Sequence, residues 1–324
     1  MKLLIFGGTL FVGRHMVEAA LARGHEVTLF NRGVTYPDLF PNVEKIKGDR
    51  FVDLSPLNDR RWDAVLDPVG YSPKATRASV EFFGDTIDHY TYVSSNNAYA
   101  DVGDTPVDEN SKVNESVENT DDRGFGGDLI VQEVMRERGL VYRAGLIVGP
   151  HDRTDRLTYW ARRISQGGRV LVPGYPERPQ QIIDVRDLTE WNIRMVEAGQ
   201  GGLYNTEGPD YQLTMGRMLD ECKTVTGSDA ELVWVDRKFL NEQGERSFDG
   251  MPPWLEDPEG LIQMNCEKAI KAGLTFRPLA DIISDSLKWD TERDLDAPLP
   301  FGLPVRVGPS LQREKELLEA WDKR

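Results

Sequence analysis

Cysteine is scarce: the 324 residues hold two, Cys222 and Cys266, which allow one disulfide at most and exclude a disulfide-stapled fold. Neither has a second cysteine or a histidine at metal-ligand spacing, and the chain has four histidines in all, so no metal site is expected. Long apolar runs are missing too. Nothing reaches the roughly 18 uninterrupted apolar residues that span a bilayer, so no membrane partner is expected. The opening Met1-Lys2-Leu3-Leu4-Ile5-Phe6 with Ala20-Leu21-Ala22 has the outline of a signal peptide, but Arg14, His15 and Glu18 interrupt it. A reducing, cytoplasmic setting fits these shortages. Basic charge is also short: 39 Lys and Arg against 54 Asp and Glu give −15, which repels a phosphate backbone. Nucleic acid is therefore not an expected partner. With 39% apolar and 29% charged residues the chain is neither disordered nor collagen-like, and its length suits one large α/β unit or two joined domains.

What is present is a rhythm. β-rich runs at 2–6, 26–30, 43–47, 64–66, 90–94 and 141–147 alternate with helical periods at 12–23, 73–83 and 128–138, the last expected to stop at Gly139. This pattern predicts a doubly wound parallel α/β sheet of the Rossmann type. After Pro150 the rhythm loosens into helical 157–166, a Gly/Pro-rich 167–179, strand-like 181–185 and helical 188–198. Further helices are expected near 214–226, 267–272 and 279–289. The expected division is a dinucleotide-binding domain of residues 1–150 and 180–206, and a smaller mixed α/β substrate lobe of 151–179 and 207–300. Residues 301–324 are read as a charged tail helix, solvated or oligomer-facing.

Gly7-Gly8-Thr9-Leu10-Phe11-Val12-Gly13 stands between an apolar strand and an amphipathic helix, where backbone N–H groups and a helix N-terminus receive a pyrophosphate. Leu10 takes the place of the usual central glycine. The second strand ends in Asn31-Arg32, about where a ribose-binding acid would stand in an NAD site. Asn31 removes that acid's repulsion and Arg32 offers a guanidinium fork for a 2′-phosphate, so NADP is favoured over NAD. Asp49, after Gly48, would accept from the adenine amino group or simply shape a turn.

These segments, with Tyr92-Val93-Ser94-Ser95 and Tyr99, Arg143 to Pro150, and Ile182 to Leu188, lie in the order found in the extended short-chain dehydrogenase/reductase superfamily, which the chain resembles from residue 1 to about 200. Within it the chain is most similar to an atypical branch with a Gly-Gly-x-x-x-x-Gly motif. The resemblance implies hydride transfer between a nicotinamide and a carbon bearing oxygen, with a Ser/Thr, Tyr and Lys set handling the proton. It assigns Ser94 to the cofactor side and Ser95 to catalysis, and it implies a homodimer seam from the helices at 73–83 and 128–138. One departure is complete. None of the ten tyrosines is followed four residues later by lysine; the family's pair falls on Phe125 and Leu129. The proton donor is then sought among Tyr99, Asp128, His151 and Asp152.

The segment after the sixth strand leads from Asp152, Arg153 and Arg156 into Tyr159 and Trp160. It offers forks for an anionic group and an aromatic wall, with Arg178, Gln181 and Arg186 adding polar contacts. The arginines pairing with Asp152, Asp155 and Asp187 is an equal reading. Residues 101–128 carry nine acidic and two basic side chains, a solvated loop or a lid. The expectation is an NADP-binding oxidoreductase acting on a small-molecule substrate. The alternatives are a nucleotide sensor or scaffold without turnover, and a non-redox isomerase or dehydratase.

Overall fold

The computed structural model describes residues 1–68, 70, 72–100, 106–114, 126–245, 263–294 and 307–324. The chain divides into two compact units: Met1–Gly145, Val185–Glu207 and Ile262–Thr275 form the first, and Leu146–Asp184, Gly208–Leu261 and Phe276–Arg324 the second. The return of Ile262–Thr275 to the first unit departs from the division expected above. It is tied there by Trp191, whose indole N–H donates to the Ala272 carbonyl at 3.0 Å.

The first unit is built on seven parallel strands: β1 (Lys2–Phe6), β2 (Glu26–Asn31), β3 (Glu44–Lys47), β4 (Ala64–Asp67), β5 (His89–Ser95), β6 (Gly139–Ala144) and β10 (Gly202–Thr206). Their order in space is β10-β6-β5-β4-β1-β2-β3. Helices α1 (Phe11–Ala22) and α5 (Val185–Glu197) pack together, as do α2 (Pro73–Phe83) and α3 (Gly127–Met135). Alternation along the strands sorts the core. Leu4, Phe6, Val65, Tyr90 and Val141 join Val80, Phe83, Ile130 and Met135 in one buried cluster. Leu3 and Ile5 therefore point to the opposite face. Strands buried on both faces read as continuous apolar runs, which is why β1, β2 and β4 were legible.

Two expected boundaries move. Helix α3 stops at Met135, where Arg136 takes φ +52°, and Gly139 opens β6 rather than closing the helix. The expected strand 141–147 is two strands, because the chain leaves the sheet after Ala144 and Ile147–Val148 (β7) pairs elsewhere.

The second unit holds a three-stranded sheet in the order β11 (Gly208–Thr214), β9 (Pro179–Asp184), β7, and a parallel pair of β8 (Arg169–Pro173) with β12 (Glu231–Val235). Helices α4 (Thr158–Ser165), α6 (Met215–Thr226) and α9 (Leu279–Glu292) share an apolar cluster centred on Trp160, Leu219 and Ile283. Short helices α7 (Arg237–Glu242) and α8 (Glu267–Lys271) follow β12, the latter in the first unit. The terminal α10 (Leu311–Trp321) is not a solvated tail. Leu317 and Leu318 are buried with Leu171 and Phe239, and buried Glu314 accepts from Arg163 Nε at 2.6 Å and from the Leu171 N–H at 3.0 Å. Among the described residues no helix is long and apolar enough to cross a membrane, and no cluster of His, Cys, Asp or Glu suits a metal.

Candidate functional site

In the first unit the predicted cofactor residues other than Ser94, which stands near the end of β5, lie at the carboxyl ends of neighbouring strands β1, β2 and β3. Gly7 and Gly8 take φ of +76° and +81°, the left-handed region that glycine enters without cost. A Cβ on Gly13 would lie 3.0 Å from the Gly8 nitrogen and 3.2 Å from its Cα, so α1 meets the turn so closely that a side chain there would require the turn's backbone to shift. Leu10 sits at φ −122°, ψ 142°, ordinary extended backbone, and the positive φ falls instead on Phe11 at +25°. The missing central glycine is thus not needed at Leu10. Helix α1 has no side-chain cap at Leu10 and no acid in its first turn. Among the described residues no side chain caps its leading N–H groups. Thr9 is buried and Val12 half-buried beside them.

Asn31 does not offer itself to a ribose. Its amide NH2 donates to the Gly7 carbonyl at 2.7 Å and its oxygen accepts from the Gly33 N–H at 2.9 Å, locking the end of β2 to the glycine turn. Arg32, next along, is exposed and has no partner among the described residues. Asp49 accepts from the Phe51 N–H at 3.0 Å and its carbonyl accepts from the Val52 and Asp53 N–H groups, the turn-shaping role.

Beneath this edge lies a network that the sequence reading overlooked. Asp67, fully buried at the end of β4, pairs with Arg50 and accepts from the Tyr90 hydroxyl at 2.9 Å; Arg50 also donates to Ser79 Oγ at 3.1 Å and lies 4.6 Å from the Phe6 ring centroid. An acid closing the apolar run Ala64-Val65-Leu66 was the available signal, since a buried carboxylate demands a cation.

The predicted catalytic residues are not a single constellation. Ser94 is half-buried and Ser95 exposed at the end of β5, where Ser95 Oγ accepts from the Asn97 N–H at 3.2 Å. Tyr99 is 2% exposed and donates to Asn205 Oδ1, while the Arg143 guanidinium lies 4.7 Å from its ring centroid. Burial raises its phenol above the usual range despite that cation. Asp128 is buried under Arg143, which donates to Asp128 Oδ2 from Nε at 2.9 Å and from Nη2 at 2.7 Å. Register places Arg143 between Ser94 on β5 and Asn205 on β10, so three strand ends and the start of α3 converge on one guanidinium. Neither Tyr99 nor Asp128 presents a free proton-bearing atom. Leu129, at the family's lysine position, is partly exposed on α3; Phe125 lies outside the described residues, as do 101–105 and 115–124 of the acidic segment.

The remaining predicted residues belong to the second unit. His151 stands at φ +68° with its ring 5.4 Å from that of Trp289. Asp152 is buried, takes the Thr154 N–H at 2.9 Å on Oδ1, and has Oδ2 without a hydrogen bond; burial raises its pKa while the Arg156 charge opposes the rise. Arg153 is half-buried. Tyr159 and Trp160 are 5% and 0% exposed, so they are core and not the wall of a pocket. The helical period turned both inward, with Tyr159 against Gly308. Gln181 is half-buried on β9, whereas its neighbour Gln180 points to the buried face. Asp155, read only as a partner for arginine, takes Arg162 at 3.1 Å and Arg293 at 2.7 Å.

No protein-family model matches the chain. A search of curated proteins finds the chloroplast stem-loop binding protein of 41 kDa b of Arabidopsis thaliana, 24% identical over 270 residues, 76% of this chain and 69% of that protein. Among solved structures, the Bordetella bronchiseptica enzyme WbmH in complex with NAD+ superposes with a TM-score of 0.67 at 16% identity over 90% of this chain and 98% of that one. The UDP-glucuronic acid 4-epimerase of Bacillus cereus, with NAD, gives 0.67 at 15% over 90% and 99%. The dTDP-glucose 4,6-dehydratase of Bacillus anthracis, with NAD, gives 0.67 at 16% over 91% and 97%. With its seven parallel strands, glycine turn and second mixed unit, the chain has the fold of these three NAD-bound enzymes.

Proposed function

We propose that the chain is a nicotinamide-dinucleotide oxidoreductase, that it takes NADP(H) ahead of NAD(H), and that it acts on a small polar metabolite. The observation that carries this reading is the uncapped α1 N-terminus behind a turn in which Gly7 and Gly8 have positive φ and Gly13 packs within 3.0 Å of the Gly8 nitrogen at its Cβ position. Such a turn is the shape a pyrophosphate requires. A bound nicotinamide supplies or accepts a hydride. The chain's own part is to hold it and manage charge. The N–H groups of the turn receive the pyrophosphate, and exposed Arg32 meets the 2′-phosphate with no carboxylate at the end of β2 to repel it. Ser95 donates its hydroxyl to the oxygen of the reacting carbon.

Titration of NADP+ and NAD+ against wild type and Arg32→Ala tests the cofactor. The variant should lose about 1.5–3 kcal/mol toward NADP+ and little toward NAD+. Equal small losses would remove Arg32 from the site. Oxidation of NADPH with a panel of carbonyl compounds, absent in Ser95→Ala, tests the chemistry.

A second reading has its own observation. Tyr99 and Asp128 are both committed to buried partners, and no tyrosine of the chain is followed at the fourth position by lysine. This favours a cofactor-binding sensor or scaffold without turnover. NADP+ that raises the melting temperature while no substrate oxidises NADPH would select it. We further propose a cytoplasmic protein that takes no nucleic acid.

A further inference from the structure

Arg50 and Asp67 lie inside the first unit, 8% and 0% exposed, against Phe6 and Tyr90 of its buried apolar cluster. An ion pair is a poor way to stabilise such a place, since two apolar side chains of the same volume do as well or better. What the pair adds is direction. The Arg50 guanidinium is held at both ends: Nη1 donates to Asp67 Oδ1, and Nη2 donates to Ser79 Oγ at 3.1 Å and to the Ala75 carbonyl at 3.3 Å, both on α2. Asp67 takes the Tyr90 hydroxyl of β5 at 2.9 Å on its other oxygen. Apolar side chains would fill this space without fixing those angles.

Each end of the clamp stands one residue from the cofactor edge. The guanidinium lies 4.6 Å from the ring centroid of Phe6, which ends β1 and precedes Gly7. Arg50 itself follows Asp49, which takes the Phe51 N–H on its carboxylate at 3.0 Å and the Val52 N–H on its carbonyl at 2.9 Å. Asp67 ends β4 and precedes Pro68, whose Cγ lies 3.3 Å from the Cβ position of Gly13. The segments after β1, β3 and β4 and the first turn of α1 are thus all tied to one guanidinium. Buried as it is, Arg50 acts through the backbone it holds.

We propose that Arg50 is a positioning residue of the dinucleotide site: clamped to Asp67 and α2, it keeps the Gly7 turn, the Asp49 turn and the Pro68–Gly13 contact at the spacing the adenine half of the cofactor requires. This rests on the nicotinamide-dinucleotide reading above.

The test uses the full chain, well below its melting transition, titrated calorimetrically with NADP+ and with adenosine 2′,5′-bisphosphate, the adenine half alone. Arg50→Met with Asp67→Leu and Tyr90→Phe exchanges the clamp for apolar side chains and strands no buried donor, because Ser79 Oγ keeps its own bond to the Ala75 carbonyl at 2.8 Å. This triple variant should melt at or above wild type. It should nevertheless bind both ligands at least about tenfold more weakly, and by the same factor. Arg50→Lys keeps a charge on Asp67 but cannot fork to α2 as well, and should lose about two- to tenfold. A clamp that only holds the fold together would not lower affinity in a variant that melts like wild type. Wild-type affinity in the folded triple variant overturns the proposal, as does a loss toward NADP+ that the bisphosphate does not share. Should the triple variant melt below wild type or not fold, Arg50→Lys decides alone, and wild-type affinity there overturns the proposal. Wild type that binds neither NADP+, NAD+ nor the bisphosphate overturns the dinucleotide reading and this inference with it. Wild type that binds them, with both variants unchanged, overturns this inference and leaves that reading standing.

Discussion

Replacing Asp128 with asparagine should damage the stability of the first unit before it touches any chemistry. The carboxylate is 3% exposed and receives two hydrogen bonds from a guanidinium that is 1% exposed. Asparagine keeps the shape and accepts one bond, but it leaves Arg143 as a buried charge without a counter-ion. Breaking a buried pair from one side costs about 3–5 kcal/mol. The contact of Arg143 with the Tyr99 ring is present before and after, so it offsets none of this loss. At about 2–4 °C per kcal/mol for a unit of this size, the melting temperature should fall by roughly 6–20 °C. A second arm separates charge from packing. The double change Asp128→Leu with Arg143→Met replaces the pair with apolar side chains of similar volume, which is often neutral or stabilising, so it should recover most of the loss. Circular dichroism melts and a double-mutant cycle read both arms. If Asp128→Asn melts with wild type while NADPH oxidation disappears, the pair is not structural and Asp128 returns as the proton donor.

Three further outcomes follow from the same structure. Burial pushes the His89 imidazole down to about 4 from an ordinary 6.5. The unfolded chain then binds a proton that the native state refuses, so stability is full above pH 6.5 and falls as pH drops toward 4, by about 2 kcal/mol between pH 7 and 5. Urea melts at the two pH values should show this slope in wild type, and a slope that persists in His89→Gln would contradict it. Gly13→Val forces a Cβ to within 3.0 Å of the Gly8 nitrogen, where no flexible side chain can yield, so NADP+ affinity should fall more than about tenfold in a fluorescence titration; unchanged affinity would place the cofactor elsewhere. An RNA hairpin at physiological salt should bind more weakly than about 10⁻⁴ M by anisotropy, given a net charge of −15. Micromolar binding would overturn the charge argument and draw the chain toward the property for which its Arabidopsis relative is named.

Much of the architecture was readable because its signals are local. Strands β1, β2 and β4 are short apolar runs buried on both faces, and the glycine turn follows β1 directly. Strands β8, β10, β11 and β12 carried no such mark. Gly202-Leu203-Tyr204-Asn205-Thr206 is half polar, and becomes the seventh strand because β6 offers it a free edge. Residues 167–179 looked like a Gly/Pro loop, yet Arg169–Pro173 pairs with Glu231–Val235 some 60 residues later. Pairing over such a distance leaves no periodic trace in either segment.

The site divides along the same line. Residue type and position along the chain were enough to single out the glycine turn at Gly7, Gly8 and Gly13, since a strand end, a turn and a helix start are neighbours in sequence. Tertiary packing alone decided what each polar group is free to do. It spent Asn31 on the glycine turn, covered Asp128 with Arg143 and drew Tyr99 to Asn205. It turned Tyr159 and Trp160 into core, and left Arg178 and Gln180 without partners. The reason is physical: the cost of burying a charge or a donor is set by what lies across from it. For Arg143 and Asp128 that neighbour is 15 residues away in the chain, for Tyr99 it is 106 away, and for Arg178 the described residues provide none.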